Sequence, residues 1–170
     1  MAIRRILTED DATLRKQSRA VTNFDARLHI LLDDMAETMR EANGVGLAAV
    51  QTGVLRRAAV VEAEPGTLIE LVNPEIVETE GEQNDVEGCL SLPGVYGMVC
   101  RPMKVTIKAQ DRYGKHFTLT GEGLVARAFC HEIDHLNGVI FTAFVTEYID
   151  ENSADAPGGE NGADGGADEA

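Results

Sequence analysis

The sequence predicts one α+β domain, mainly antiparallel sheets packed around a late helix. Three observations carry this. Helical periodicity occurs twice, near residues 25–42 and 123–137, with only short strand-like runs between. Those runs do not alternate regularly with helices, which argues against a parallel sheet built from βαβ units. The chain is 170 residues long with 44% apolar side chains, enough for one core but not for two.

Across residues 25–42, Leu28, Leu31, Leu32, Met35 and Met39 recur at helical spacing, and Asn43-Gly44 supplies a stop. Short apolar runs follow at 58–61 and 68–72, and Asn73-Pro74 predicts that the second ends there. Val105, Ile107 and Ala109 alternate with Lys104, Thr106, Lys108 and Gln110, the pattern of a half-buried strand. Asp111-Arg112-Tyr113-Gly114 turns that strand back into 117–119, making a hairpin. The second helix starts near Gly123 and stops at Asn137-Gly138. The domain therefore spans residues 1–150. Residues 151–170, rich in Gly and Ala with six acids and no base, offer nothing to bury and read as a disordered acidic tail.

Charge narrows the function classes. Acids outnumber bases 29 to 15, a net charge of −14, and residues 1–150 alone hold 23 acids against 15 bases. A face of clustered Lys and Arg for DNA or RNA is not expected, nor docking on anionic membranes. No run approaches the roughly 20 apolar residues of a membrane span. The start, Met-Ala-Ile-Arg-Arg-Ile, places charge where an export signal needs apolar residues, so a cytoplasmic setting is expected. Three cysteines, an odd number, then read as thiols.

The strongest chemical signal is His131-Glu132-Ile133-Asp134-His135. Histidines four apart on a helix lie about 40° apart around its axis, so both imidazoles can reach one cation. The late helix thus becomes a metal-binding helix. Leu124 and Ala128 continue the same stripe, so this face is expected to look into the protein. Glu132 stands where a general base beside a metal-activated water belongs.

A hydrolytic metal commonly takes three protein ligands. His29 and His116 look like surface residues, which leaves Cys89, Cys100 and Cys130 as thiol candidates. Cys89 is favoured, because Gly88 before it permits close backbone approach. Cys130 points off the metal face, and Cys100 reads as structural or exposed. Gly44-Val45-Gly46-Leu47-Ala48-Ala49-Val50-Gln51 lacks the ending of a phosphate loop; its small residues imply backbone packed closely against a helix or a ligand.

Taken together, the segments 44–51, Glu87-Gly88-Cys89-Leu90-Ser91 and 131–135 resemble peptide deformylase, which carries Gly-x-Gly-Leu-Ala-Ala-x-Gln, Glu-Gly-Cys-Leu-Ser and His-Glu-x-Asp-His in that order. The likeness covers roughly residues 1–148. It implies a metal-dependent hydrolase that removes the formyl group from the N-terminal methionine of newly made polypeptides. By position, it implies Cys89, His131 and His135 as metal ligands and Glu132 as the acid/base group. Gln51 and the Leu90 backbone N–H would donate to the oxyanion. Val45, Leu124 and Ala128 would shape the first side-chain pocket, with Gly46 along the substrate backbone. Glu87 and Arg101 resemble an ion pair that steadies the cysteine loop.

The resemblance points to one divalent metal, Fe²⁺ first, with Zn²⁺, Ni²⁺ or Co²⁺ as substitutes. Its partners would be N-formylmethionyl nascent chains, with no DNA and no membrane. Two departures stand out. Cys130 and Tyr96 occupy positions where members often place Gln and, in some cases, Arg. An acidic end replaces the basic helix by which some members dock, so ribosome contact is expected to be transient at most. A metallopeptidase would share the His-Glu pair but commonly takes a third His or Glu ligand.

Overall fold

The structure is a computed structural model, and it describes residues 1–150. The acidic segment 151–170 lies outside the described residues. Two helices, α1 (Ala26–Glu41) and α2 (Leu124–Leu136), accompany eight strands. The strands are β1 (Gly46–Ala48), β2 (Ala58–Val61), β3 (Ile69–Glu80), β4 (Gln83–Cys89), β5 (Leu92–Arg101), β6 (Lys104–Gln110), β7 (His116–Glu122) and β8 (Val145–Ile149). One sheet has the order β1-β2-β3-β6-β7 and the other β4-β5-β8, and every pairing within them is antiparallel. The expected α+β class holds.

β2 shows why its residues read as an unbroken apolar run. Ala59 and Val61 pack with α2 residues Phe129, Ile133 and Leu136, whereas Ala58 and Val60 pack with α1 residues Leu28, Leu32 and Met35. A strand covered on both faces has no polar side to show. Asp25 caps α1, its carboxylate accepting from the Leu28 N–H at 3.2 Å. α2 starts differently. Gly123 adopts φ 59°, and the corner is pinned by Gln83 Nε2 donating to the Gly123 carbonyl (2.7 Å) and by the Gly123 N–H donating to Met103 O (2.9 Å).

Several expectations need correction. Asn73-Pro74 does not end a strand. β3 runs on to Glu80, and Asn73 (φ 50°) sits in a register shift between Val72 and Glu75. Its side chain accepts from the Val21 N–H (2.8 Å) and donates to Val21 O (2.9 Å), so the dipeptide makes a clamped bulge. The β4–β5 hairpin and β8 have no counterpart in the apolar spacing of the sequence. Leu124 does not face inward as the stripe implied: at 51% exposure it stands at the mouth of a cavity. His29 is half-buried, its Nε2 2.9 Å from Arg112 O, and is no free surface residue.

Candidate metal centre

The end of β4 and one face of α2 bring Cys89, His131 and His135 together. Their ligand atoms all lie within 4.8 Å of one another. Cys89 Sγ is 3.3 Å from His135 Nε2, which is 3.1 Å from His131 Nε2. Two imidazole nitrogens facing each other beside a thiol sulfur are donors aimed at one shared acceptor of electron pairs. The second nitrogen of His131 is committed: Nδ1 bonds Glu87 Oε1, leaving Nε2 to turn toward the sulfur. The donor chemistry, soft sulfur with two imidazoles, fits a transition-metal dication.

Electrostatics separates the two rings. Burial works against a protonated His131, yet the Cys89 and Glu87 contacts outweigh it and raise its pKa well above the usual histidine range. His135, buried beside His131, is pushed well below that range. The two adjacent rings are thus driven in opposite directions. For Glu87, burial pushes upward, but hydrogen bonds from His131 and Arg101 prevail and hold it down at about 2.

Glu132 is 3% exposed, and its Oε2 is buried without a hydrogen-bond partner. Burial raises this carboxyl to about 7, against the pull of His131. Its other oxygen lies over β1, where a Cβ on Gly46 would come within 2.5 Å of Oε1. Gly46 is therefore the gap into which the carboxylate fits. Gln51 is oriented at both ends. Its Oε1 accepts from the Ala48 N–H (3.0 Å), while Nε2 donates to Ser91 Oγ (3.0 Å) and reaches Cys89 Sγ at 3.6 Å.

A cavity of about 680 Å³ opens onto this cluster. Of the residues singled out from sequence, Val45, Gly46, Gln51, Leu90, Leu124 and Ala128 line it, together with Glu87, Cys89, His131 and Glu132. His135 and Arg101 stand behind the lining. Arg101 grips Glu87 through both oxygens (2.8 and 3.1 Å) and bonds Asp134 at 2.7 Å. Cys130 is buried in the core and held to a pKa of about 11 by that burial, and Cys100 is exposed on β5. A second hollow, lined by residues including Arg15, Ile140 and Tyr148, holds none of these groups.

One residue escaped the sequence reading. Arg127, one helical turn before His131, is 5% exposed and donates to Glu87 Oε2 (2.8 Å) and to Val99 O (3.0 Å). An arginine amid the apolar run Leu124-Val125-Ala126 and Ala128-Phe129-Cys130 was the available signal, because a charge on a buried helix face needs a buried partner.

A cysteine sulfur and two imidazoles, with a carboxyl beside them on a cavity wall, define a metal-dependent hydrolase. A profile for polypeptide deformylase matches residues 3–149. Similar curated proteins include the peptide deformylase of Caldicellulosiruptor bescii, 58% identical with 89% of this chain and 90% of the relative covered. Peptide deformylase 1 of Bacillus subtilis is 50% identical, with 89% and 96% covered. Among solved structures, a peptide deformylase from Legionella pneumophila superposes with a TM-score of 0.83 at 50% identity, covering 85% of this chain and 87% of that one. The Thermotoga maritima enzyme also reaches 0.83, at 37% identity, covering 86% and 99%. The chain belongs to the polypeptide deformylase family, whose members are metal-dependent enzymes.

Proposed function

We propose that this protein hydrolyses the formyl group from the N-terminal methionine of newly made polypeptides, releasing formate and a free amine. The observation that carries the reading is the convergence of Cys89, His131 and His135 beside the buried Glu132 carboxyl. Cys89, His131 and His135 would hold a dication, which would supply Lewis acidity and lower the pKa of water toward about 7. Glu132 takes the proton of the attacking water and returns it to the departing amine. A carboxyl raised to about 7 suits a group that must accept and donate near neutrality.

Negative charge grows on the formyl oxygen, where Gln51 Nε2 and the Leu90 backbone N–H donate. Removing one such donor typically costs about 3–4 kcal/mol of transition-state stabilisation. The bonds from Ala48 and to Ser91 hold the Gln51 amide in one orientation, and the Nε2 hydrogen directed at Cys89 Sγ is the one that would turn to the formyl oxygen. Val45, Leu124 and Ala128 give the methionine side chain an apolar wall, and Gly46 lets the substrate backbone pass close. Glu87 and Arg101 orient His131 and steady the cysteine loop.

Fe²⁺ is the metal we assign, with Zn²⁺, Ni²⁺ and Co²⁺ as substitutes that the same donors accept. The setting is the cytoplasm, the partner is the nascent chain, and ribosome contact is transient. No described helix is long and apolar enough to cross a membrane. Protein purified without air, with its metal content measured, is expected to release one formate per formyl-Met peptide cleaved. Cleavage of unformylated peptides without formate release would overturn the assignment.

A further inference from the structure

The metal donors come from two separate elements, and something must fix the distance between them. Cys89 ends β4, whereas His131 and His135 sit on α2, 42 and 46 residues along the chain. Glu87, two residues before Cys89, spans the gap, and its four hydrogen bonds divide evenly. Oε1 meets His131 Nδ1 and Arg101 Nη2 (2.8 Å); Oε2 accepts from Arg101 Nε (3.1 Å) and Arg127 Nη1 (2.8 Å). A carboxylate has about four acceptor sites, and these partners fill them.

The two arginines differ in where they stand. Arg101 is the last residue of β5, the strand paired with β4, and shares its guanidinium with Asp134. Arg127 is on α2 itself, exactly one residue pair (i, i+4) from His131, so it shares that ligand's helix face. Its Nη1 also donates to Val99 O of β5, and its Nη2 is buried with no partner. A buried arginine that leaves one donor unmet is retained at a cost, and its satisfied bonds all run from α2 to the sheet that carries the cysteine.

We propose that Arg127 is a positioning residue of the metal centre: by tying Glu87 and Val99 to α2 it sets the spacing between the Cys89 sulfur and the two imidazoles. This inference rests on the reading of Cys89, His131 and His135 as metal ligands. Arg101 holds Glu87 flat; Arg127 locks the strand pair onto the ligand-bearing helix. Without Arg127, β4 keeps its partner in the sheet but loses a direct strut to α2. The three donors then no longer stand pre-arranged, and part of the binding free energy goes into gathering them.

The test uses the full chain, with Zn²⁺ affinity measured by competition against a chromophoric chelator and with Co²⁺ absorption spectra. Arg127→Met is expected to weaken Zn²⁺ binding by about 10- to 100-fold and to alter the thiolate-to-Co²⁺ and ligand-field bands. Arg127→Lys, which keeps the charge but loses the length and planar fork of the guanidinium, is expected to fall between Arg127→Met and the parent, and it carries the test if Arg127→Met fails to fold. Unchanged Zn²⁺ affinity and Co²⁺ spectra in the folded variants, whatever their melting temperatures, would overturn the positioning role. If the parent protein bound Zn²⁺ and Cys89→Ser bound it equally well, the ligand reading would fall instead, and the proposal with it.

Discussion

Each helix buries an acid, and the two acids are treated in opposite ways. On α1, Asp34 accepts from the Ala2 N–H (2.8 Å) and from Arg4 Nε (3.0 Å). Those bonds, the backbone one foremost, hold its pKa below the usual value of 3.8 despite burial. On α2, Glu132 has an oxygen buried with no partner, and burial lifts it to about 7. Little of either is exposed, 5% and 3%, but burial is the strongest influence on Glu132, whereas donated hydrogen bonds outweigh it at the shallower Asp34. α1 spends its polar residues on fastening the N-terminal segment. α2 keeps Glu132 unfastened, and an unfastened carboxyl can exchange a proton.

Glu132→Ala should separate the two roles most sharply. Deformylation is expected to fall by about 10²- to 10⁴-fold, the usual worth of a general acid/base, while bound metal and melting temperature stay near those of the parent. A formate-release assay beside metal analysis checks this, and turnover at the parental rate would refute the role. Met35→Ala on α1 should do the reverse. A fully buried side chain is lost there, so stability should drop by about 2–5 kcal/mol in denaturant unfolding, with turnover per folded molecule preserved.

Gly46→Ala comes next. The added methyl would lie 2.5 Å from Glu132 Oε1 and must displace it. Activity should fall by about 10²-fold with metal content intact, and a rate close to the parent's would show that the carboxylate has room to move. The pH prediction concerns α1 and is smaller. Because the folded pKa of Asp34 lies below its unfolded value of 3.8, its stabilisation is complete above 3.8. It is lost as pH falls through the lower folded value. Acid-unfolding curves for Asp34→Asn should therefore lack that final decline. Deleting residues 151–170 should have the smallest effect, leaving melting temperature and turnover unchanged; a large loss of either would contradict the sequence reading of that segment.

Residues that obey a period were legible, and residues held by side-chain bonds were not. α1, α2, β2, β6 and the turn into β7 follow from apolar spacing, and the structure places them where the pattern does. β4, Gln83-Asn84-Asp85-Val86-Glu87-Gly88-Cys89, has one aliphatic side chain and gives no alternation to read. β5 carries Pro93, Gly94 and Gly97, which resemble breakers, yet a Cβ at Gly97 would strike Val145 of β8 at 2.5 Å. That glycine marks where a neighbouring strand approaches, and only three dimensions reveal it. The site divides the same way. His131, Glu132 and His135 announce themselves by helical spacing, whereas Cys89 could not be chosen over two other thiols by spacing alone. Arg127 is marked only as a charge within an apolar run; its partner, Glu87, is 40 residues away and has no local signature.

The gap between sulfur and second imidazole, 46 residues, also fixes when the centre can come into being. A ribosome releases Cys89 before either histidine, so an emerging chain carries its thiol without the imidazoles through the synthesis of β5, β6 and β7. On the proposed ligand set, a translation product stopped short of His135 has no complete donor trio.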